Sequence, residues 1–351
     1  MPFLNQFFKA GYSEIKRNPM PNVLPISVII PTRNRSVPLA RMLESLAKQS
    51  AQPIEMIVVD ASTDGATEQI CRQGIAGLST QIIYCSAAQI GAAVQRNQAI
   101  AHATQSTILF CDDDVLFEPE CILRLWQALQ QAPDLAGVNA MITNQCYLPP
   151  GRWSRSLFQF LHGKKQPSYA GLCIGPGLNL LPEDRDDLPE VVPVEWLNTT
   201  CVLYRRQALP NPPFPSHFTG YSLMEDVTLS LIVGRTWKLA NARTARIFHD
   251  SQPGQHKNNP AVLAEMELIN RHYVMTHILN QQQIADYCKL AVLQSFGLIA
   301  ALQTPKGWRS FPAILRGTLA AVVHIISSGH AMAQAERVIG KEPECVNEAD
   351  G

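Results

Sequence analysis

The stretch that decides the fold is Thr107-Ile108-Leu109-Phe110-Cys111-Asp112-Asp113-Asp114, where a short apolar run ends in three consecutive carboxylates. Such a run predicts a buried strand with polar residues at its carboxyl end. Because residues two apart on a strand point the same way, we expect Asp112 and Asp114 to converge while Asp113 faces elsewhere. Adjacent anions are costly to bury, so a hard cation such as Mg²⁺ or Mn²⁺ is expected among them. The alternative is a solvated acidic turn that precedes the next helix.

Strand-like runs alternate with helical patterns on both sides of this stretch. The predicted strands are Ile26–Ile30, Ile54–Val59, Gln81–Tyr84 and Thr107–Cys111, with two more in Val191–Tyr204 and Arg243–Phe248. The predicted helical segments are the stripe Leu39, Met42, Leu43 and Leu46, the run Gly91–Ala103, and the stripe Ile122, Leu125, Trp126 and Leu129 after Pro119 as first helical residue. This alternation predicts an α/β fold, a Rossmann-like mostly parallel sheet with helices on both faces. Polar residues after the first, second and fourth strands predict a ligand site at the carboxyl edge of the sheet.

Composition sets further bounds. At 351 residues the chain is long enough for one large domain or two, and its formal net charge of zero gives no global attraction to nucleic acid or to an anionic membrane. The nine cysteines form no Cys-x-x-Cys pair, and no signal peptide precedes them, which favours free thiols in a reducing cytosol. No stretch is expected to span a membrane, because Leu290–Leu302 is too short and Ala313–Ile326 carries Arg316 and His324.

Glycine-rich phosphate loops are missing from the sequence. Neither G-x-G-x-x-G after the first strand nor G-x-x-x-x-G-K-[ST] occurs, which disfavours a Rossmann dehydrogenase and a P-loop NTPase. If phosphates bind at this sheet edge, a metal must neutralise them where a glycine nest would otherwise do so.

Four motifs follow one another along the chain. They are Pro31-Thr32-Arg33-Asn34-Arg35, Val58-Val59-Asp60-Ala61-Ser62-Thr63-Asp64, Gly91 with Arg96-Asn97, and Phe110-Cys111-Asp112-Asp113-Asp114 with Pro119 beyond it. In this order and spacing they resemble the family 2 inverting glycosyltransferases of GT-A fold, within the nucleotide-diphospho-sugar transferase superfamily. The resemblance runs from about Ile26 to His249, and it implies that the last motif is the family's D-x-D motif.

The resemblance implies a role for each matching residue. The implied nucleotide-sugar contacts are Pro31, Thr32, Arg33, Asp60, Asp64, Arg96, Asp112 and Asp113, with Asp60 at the base, Asp113 at the ribose and Arg96 beside the base or diphosphate. The implied metal ligands are Asp112, Asp114 and His249, and the metal is Mn²⁺ or Mg²⁺. Without the resemblance, Arg96 reads as a surface cation on a helix, Asp60 and Asp64 as turn residues, and His249 as a structural histidine.

Ser222-Leu223-Met224-Glu225-Asp226 opens a further helix. Ser222 and Glu225 fit a capping box, which explains Glu225 without catalysis but does not explain Asp226. The pair resembles the family's Glu-Asp motif, although Met224 stands where the family often has glycine. The resemblance implies that Asp226 is the catalytic base and that Glu225 is its structural partner or an acceptor ligand.

The resemblance therefore implies a metal-dependent inverting glycosyltransferase. The expected donor is a UDP-, GDP- or dTDP-linked sugar and the expected acceptor a hydroxyl of a glycan or lipid-linked molecule, with no nucleic-acid partner. One sugar is added at a time, since the Gln-x-x-Arg-Trp motif of processive synthases is missing. The alternatives are a catalytically silent sugar-nucleotide-binding or scaffold protein and a metal-dependent nucleotidyltransferase, but Pro31–Ser36 lacks the glycine and lysine that the latter needs.

The predicted domain organisation has five parts. They are an arm over residues 1–25 with Phe3, Leu4, Phe7 and Phe8, a nucleotide-sugar half over 26–143, an acceptor half over 144–255, a helical extension over 256–340 and a disordered tail over 341–351. Arg152–Leu161, followed by Lys164 and Lys165, mixes aromatic and basic residues, so it either covers the acceptor site and contacts a membrane or packs on the sheet as an insertion. We expect a cytoplasmic protein, and peripheral attachment to the inner face of the membrane is left open.

Overall fold

The computed structural model describes residues 23–251 and 259–339, which centre on a nine-stranded mixed sheet. The strands are β1 Val23–Thr32, β2 Gln52–Asp60, β3 Gln81–Ser86, β4 Thr107–Cys111, β5 Val115–Phe117, β6 Leu135–Ile142, β7 Cys173–Ile174, β8 Leu178–Asn179, β9 Val191–Val194, β10 Cys201–Arg205 and β11 Lys238–His249. The strand order is β3-β2-β1-β4-β10-β6-β11-β5, with β9 also paired to β11, while β7 and β8 form a separate hairpin. Strands β1 to β4 are parallel to one another, whereas β10, β5 and β9 run antiparallel to their neighbours.

The helices cover both faces of this sheet, as the sequence predicts. They are α1 Ser36–Ala47, α2 Ala66–Gln73, α3 Ala92–His102, α4 Cys121–Gln131, α5 Arg152–His162, α6 Glu225–Val233, α7 Pro260–Tyr273, α8 Ile284–Ala301 and α9 Pro305–Ile339. On β1, Val28 and Ile30 pack with the helices α1 and α4, while Ile29 on the opposite face packs with Ala93 and Ala99 of α3. This two-sided burial follows from the period of two along each strand. The α/β prediction is confirmed, and all four residues of the α1 stripe are buried.

The register of the parallel strands sets the position of the site. Thr32 at the end of β1 lies opposite Asp60 at the end of β2, and Ile29 of β1 lies opposite Phe110 of β4. Carboxyl ends of neighbouring parallel strands therefore meet at one edge of the sheet. The polar residues that follow these three strands are brought to this edge.

Several local predictions were wrong. The run Val191–Tyr204 forms two strands, β9 and β10, because the intervening residues leave the sheet. Pro119 precedes the helix that it was expected to begin, since α4 starts at Cys121 after Glu120 in a left-handed conformation with φ 63°. The strands β5 and β6 were not predicted, and the segment 144–190, which shows little periodicity, contains the eleven-residue helix α5.

The C-terminal part is helical, as expected. The helix α7 continues into a π-helical stretch, Val274–Ile278, and α9 packs along α7. By length and composition, two helical segments are long and apolar enough to cross a membrane, Ile284–Ala301 and Pro305–Ser328, and both are largely exposed. The expectation that no stretch reaches that length is therefore corrected. Most of the predicted arm and the predicted tail at 341–351 lie outside the described residues, and the domain boundaries stay predictions.

Candidate active site

The three carboxylates after β4 lie in a turn and have different partners. Asp113 faces β1, where its Oδ2 accepts a hydrogen bond from Thr32 Oγ1 at 2.6 Å and its Oδ1 accepts one from Arg35 Nε at 2.9 Å. Asp112 and Asp114 converge beside His249, as expected, but Asp113 does not face away from Asp114, because Arg35 contacts both. Asp113 and Asp114 are both buried, so the alternative of a solvated acidic turn does not describe this site.

Asp112, Asp114 and His249 form a group with the character of a metal site. One potential ligand atom from each lies within 4.8 Å of the others, and His249 Nε2 is 3.1 Å from Asp114 Oδ1. The antiparallel pairing of β11 with β5 explains this approach, because His249 lies directly opposite Val115, the residue after Asp114. Two carboxylates and an imidazole fit Mn²⁺ well and Mg²⁺ less well, since Mg²⁺ prefers oxygen ligands.

Two neighbouring amides fix the orientation of His249. Asn144 pairs with its backbone in both directions, at 2.9 and 3.1 Å, and Gln145 Nε2 lies 3.1 Å from His249 Nδ1. The nitrogen Nε2 faces Asp114, and to bind a metal it must carry no proton. In that tautomer Nδ1 carries the ring proton and donates it, and the amide of Gln145 accepts through its oxygen. Partners of this kind orient histidine ligands in metal sites.

Arg35 connects Asp113 with Asp114. Its Nε donates to Asp113, its Nη2 donates to Asp114 Oδ2, and the second oxygen of Asp114 is left facing His249. This guanidinium offsets part of the repulsion between adjacent anions. Burial nevertheless raises the pKa of Asp113 to about 7, although Arg35 and Thr32 lower it.

Arg96 joins the acidic corner, which consists of Asp112, Asp113 and Asp114, to the start of α6. Its side chain is buried, with Nη2 at 2.8 Å from Asp112 Oδ1 and Nη1 at 3.0 Å from Glu225 Oε1. The guanidinium carbon also lies 5.7 Å from the centroid of the Phe214 ring, within the range of a cation–π contact. Arg96 is therefore not a surface cation, and it joins the acidic corner and the Glu225-Asp226 pair in one cluster of charged side chains.

Glu225 is not part of a capping box. The helix α6 begins at Glu225 after Met224 in a left-handed conformation with φ 72°, and Ser222 Oγ donates to Gly220 O rather than capping the helix. Burial raises the pKa of Glu225 to about 8, and the neighbouring Asp226 raises it further, while Arg96 lowers it. Burial also raises the pKa of the half-buried Asp226 to about 6, although the hydrogen bond that Val227 N donates to this carboxylate lowers it. Of this pair, Asp226 is the carboxylate that ionises first.

The loop before α6 is held against the loop before α3. Gly220, Ser222 and Met224 all adopt positive φ, and Gly220 pairs with Gly91 through a β-bridge. A Cβ on Gly91, which has φ +151°, would lie 3.2 Å from Gly220 N, so glycine is required at this position for close approach. Within the loop, Tyr221 has a raised pKa, because burial disfavours its phenolate and the nearby carboxylates of Asp112, Glu225 and Asp114 disfavour it further.

The remaining predicted nucleotide residues lie near the ends of β1 and β2. Asp60 is buried and accepts hydrogen bonds from the backbone and hydroxyl of Ser62, whereas Asp64 is exposed and accepts one from Ala66 N at the start of α2. Pro31 belongs to β1 and Arg33 is exposed beyond it. The contacts with Ser62 and Ala66 are those of turn residues, whereas Tyr84 of β3 also donates to Asp60 Oδ2 at 3.3 Å. The nucleotide roles stay predictions.

Sequence reasoning missed three residues that organise the site. Arg35 stands inside a quoted motif, and its charge opposite the acidic run was a usable signal. Gln95 Nε2 donates to Thr32 O at 3.0 Å and to Val59 O at 2.8 Å, which holds the ends of β1 and β2 to α3. Neither Gln95 nor Gln145 carries a sequence signal, since both act through neighbours distant along the chain.

Part of the chain matches a known protein family. Residues 27–178 match the model of the family described as Glycosyl transferase family 2. The match covers less than half of the chain and includes the acidic corner, but it ends before the Glu225-Asp226 pair and His249. Residues 27–178 are thus similar to the domain of that family.

Individual relatives agree with this match. The chain is 31% identical to an uncharacterized glycosyltransferase of Haemophilus influenzae over 110 residues, which are 31% of this chain and 36% of that protein. It is 26% identical to the uncharacterized glycosyltransferase YwdF of Bacillus subtilis over 107 residues, 30% of this chain and 39% of that one. These matches span little more than a third of either relative.

A solved structure extends the likeness to most of the fold. The mannosyltransferase PcManGT of Pyrobaculum calidifontis, in complex with GDP-Man and Mn²⁺, superposes with a TM-score of 0.52 at 15% identity. The superposition covers 85% of this chain and 87% of that one. The protein therefore has the GT-A fold.

Proposed function

We propose that this protein is a metal-dependent inverting glycosyltransferase that moves one sugar from a nucleotide-diphosphate donor to a hydroxyl acceptor. The observation that carries the proposal is the double contact of buried Arg96 with Asp112 and Glu225. It joins a metal-type group to a pair of carboxylates whose pKa values are raised to different extents. Charge stabilisation for a leaving diphosphate and a base for an incoming hydroxyl are the two functions that such a transfer needs.

The donor is assigned to the edge formed by β1, β2 and β4. Open α/β sheets bind ligands at the carboxyl ends of their strands, where Thr32, Asp60 and the acidic corner lie. The match to glycosyltransferase family 2 and the fold shared with a protein bound to GDP-Man support a nucleotide sugar, whether UDP-, GDP- or dTDP-linked.

Asp112, Asp114 and His249 would hold the divalent metal, Mn²⁺ or Mg²⁺. A bound dication neutralises charge on the diphosphate as the sugar leaves. The chain's own part is to present the ligands: Arg35 holds one oxygen of Asp114, and Gln145 directs His249 Nε2 towards the other.

Asp226 is assigned as the general base. The bond between the anomeric carbon and the diphosphate oxygen breaks, and the acceptor oxygen bonds to that carbon from the opposite face. The acceptor proton passes to Asp226, and the anomeric carbon is oxocarbenium-like in the transition state. A carboxylate whose pKa is raised to about 6 is a stronger base than an ordinary one and is still mostly ionised at neutral pH.

The acceptor is proposed to be a glycan or a lipid-linked molecule, and the compartment the cytoplasm. The eight cysteines in the described part of the chain are free thiols, which suits a reducing compartment. A lipid-linked acceptor would place the protein at the inner face of the membrane.

A screen of UDP-, GDP- and dTDP-sugars with Mn²⁺ tests the proposal. Thermal shift reports binding, and release of the nucleotide diphosphate reports transfer to water or to an added acceptor. We expect one donor class to give both signals, and both should require metal. Binding with no release under any acceptor condition would instead identify a silent sugar-nucleotide-binding protein.

A further inference from the structure

The helix α9 has its large apolar side chains on the outside. Leu315, Leu319, Val322, Val323 and Ile326 follow a helical period on one face and are 37–65% exposed. The opposite face, with Gly317, Thr318 and Ala321, is buried against the protein. A helix of a water-soluble domain normally shows the reverse distribution.

The helix α8 lies beside α9 and extends this apolar surface. Gln294 Nε2 of α8 donates to Thr318 Oγ1 of α9 at 3.1 Å. Four large apolar side chains of α8, Ile284, Tyr287, Val292 and Ile299, are also exposed, and 6% of the residues of this helix are buried. The two helices therefore present one apolar surface rather than isolated residues, and a surface of this kind marks an interaction site.

The helix α5 joins the same surface and adds positive charge. Its inner residues Leu157 and Leu161 belong to a small core against which Leu293 and Phe296 of α8 pack. On its outside, Trp153 is 85% exposed. We call the helices α5, α8 and α9 the helical platform.

Charge is distributed unevenly between the platform and the rest of the protein. Residues 152–165 contain Arg152, Arg155, Lys164 and Lys165, residues 305–328 contain Lys306, Arg309 and Arg316, and neither segment contains a carboxylate. The helix α8 adds one charge of each sign, Asp286 and Lys289. The whole chain has a formal net charge of zero. The positive excess is thus concentrated in the segments that also expose apolar side chains.

We propose that the helical platform lies flat on an anionic lipid bilayer, with its apolar side chains in the interface and its cations among the headgroups. Lysine and arginine next to exposed tryptophan, phenylalanine and leucine are the combination that interfacial helices use. A second copy of the chain fits less well, because it would bring two positively charged faces together. Residues 1–22 also fit less well as a cover, since they carry Lys9, Lys16 and Arg17 against Glu14 alone.

The packing of α9 favours a helix that lies on the membrane over one that spans it. A Cβ added to Gly317 would lie 2.0 Å from Ala261 O, so α9 contacts the backbone of α7 directly. The helix α7 is in turn hydrogen-bonded to the loop before α6, because Asn270 Nδ2 donates to Leu223 O at 2.7 Å. Crossing a bilayer would require α9 to leave α7, whereas lying on its surface leaves every contact in place.

The link through α7 also suggests the class of acceptor, and this step rests on the proposed function. Leu223 lies two residues before Glu225 and three before Asp226. A platform on the membrane therefore keeps the proposed base close to the lipid surface, which suits an acceptor hydroxyl carried on a lipid.

Flotation of the full chain with vesicles tests the platform. Vesicles of phosphatidylcholine alone are compared with vesicles that also contain phosphatidylglycerol. Val323→Asp is matched by Val37→Asp, because Val323 on α9 is 65% exposed and Val37 on α1 is 69% exposed. We expect Val323→Asp to lower partition at least about tenfold and Val37→Asp to leave it unchanged.

The charge contribution is tested with Arg152→Gln/Arg155→Gln. Since each basic residue near an anionic surface contributes about fivefold to partition, the pair should lose about 25-fold on anionic vesicles and little on neutral ones. Arg72→Gln on α2 is the control, because this side chain is 77% exposed and lies outside the platform.

Three results would overturn the proposal. They are no partition onto either vesicle, partition that neither platform variant lowers, and a solution dimer in sedimentation velocity that Val323→Asp dissociates. Asp226→Asn should float like the wild type. Flotation therefore remains interpretable if glycosyl transfer itself is disproved, and the two proposals can fail separately.

Discussion

Replacing Asp226 by Asn should remove turnover and leave donor binding intact, whereas replacing Glu225 by Gln should preserve most turnover. The two side chains are adjacent, but their pKa values are raised to about 6 and about 8. Between these values the pair holds one proton, and the higher pKa of Glu225 places that proton mainly on Glu225. The amide introduced by Glu225→Gln would therefore imitate the protonated glutamic acid, including the carbonyl oxygen that accepts from Arg96.

The magnitudes follow from these protonation states. Loss of a general base typically costs 10²–10⁴-fold in rate, which is about 3–5 kcal/mol of transition-state stabilisation, so Asp226→Asn should lose at least about 100-fold in kcat. Glu225→Gln removes no charge at pH 7 and should lose less than about tenfold. Wild-type kcat/KM should rise as the pH increases through about 6, because Asp226 must be ionised to act as base.

The kcat of both variants is measured from steady-state release of the nucleotide diphosphate. The assay uses Mn²⁺ and the best donor from the screen. Donor affinity is measured separately by calorimetry, and urea unfolding checks that each variant is folded. Near-normal turnover in Asp226→Asn would refute the assignment of the base. Glu225→Gln losing as much activity as Asp226→Asn, at wild-type stability, would refute the proton distribution.

Three further changes test the site and its surroundings. Asp114→Ala should abolish Mn²⁺ binding in a calorimetric titration, while Asp134→Ala, at an exposed carboxylate outside the acidic corner, should not. Arg35→Gln should weaken Mn²⁺ binding about 10-fold or more, because Arg35 orients one oxygen of Asp114, and Arg33→Gln at the exposed neighbour should change it less than about twofold. Glu55→Gln should lower the free energy of unfolding by about 1–3 kcal/mol at pH 7, since buried Glu55 accepts hydrogen bonds from Ser27 and Thr104. Because the pKa of Glu55 is lowered in the folded protein, the whole difference should be present above about pH 4.5 and should disappear as the pH falls further.

Structure could be predicted from the sequence wherever a local pattern of residues determines it. The run Thr107–Cys111 is a buried strand, and Asp112 and Asp114 after it converge as expected, although Arg35 joins Asp114 to Asp113 as well. The α1 stripe is buried for the same kind of reason, because the helical period places all four apolar residues on one face. Short-range periodicity thus predicted the parallel half of the sheet and the edge at which the site lies.

Contacts between distant segments were beyond such patterns. Arg35 and Asp113 are 78 residues apart, Gln145 and His249 are 104 apart, and only the register of β11 against β5 places His249 beside the acidic corner. These pairings depend on strand order, which no single segment encodes.

The capping box failed for a related reason. Ser222 and Glu225 have the correct spacing, but the loop that contains them is held by Gly91 through Gly220, and Met224 takes a left-handed conformation. A tertiary contact therefore overrode a local signal that was correct in composition. Glu225 was left free to pair with Arg96, 129 residues away.

The charges of the acidic corner and of the Glu225-Asp226 pair must be balanced together. The described side chains there include the five carboxylates Asp112, Asp113, Asp114, Glu225 and Asp226, against the two guanidinium groups of Arg35 and Arg96. With one proton on Glu225, two negative charges remain in excess. Burial makes such an excess costly, and the pKa of Asp113, raised to about 7, indicates that a further proton is taken up near neutral pH. A dication at Asp112, Asp114 and His249 would neutralise the same charge without protonating a ligand, and it would leave Asp226 ionised as the base.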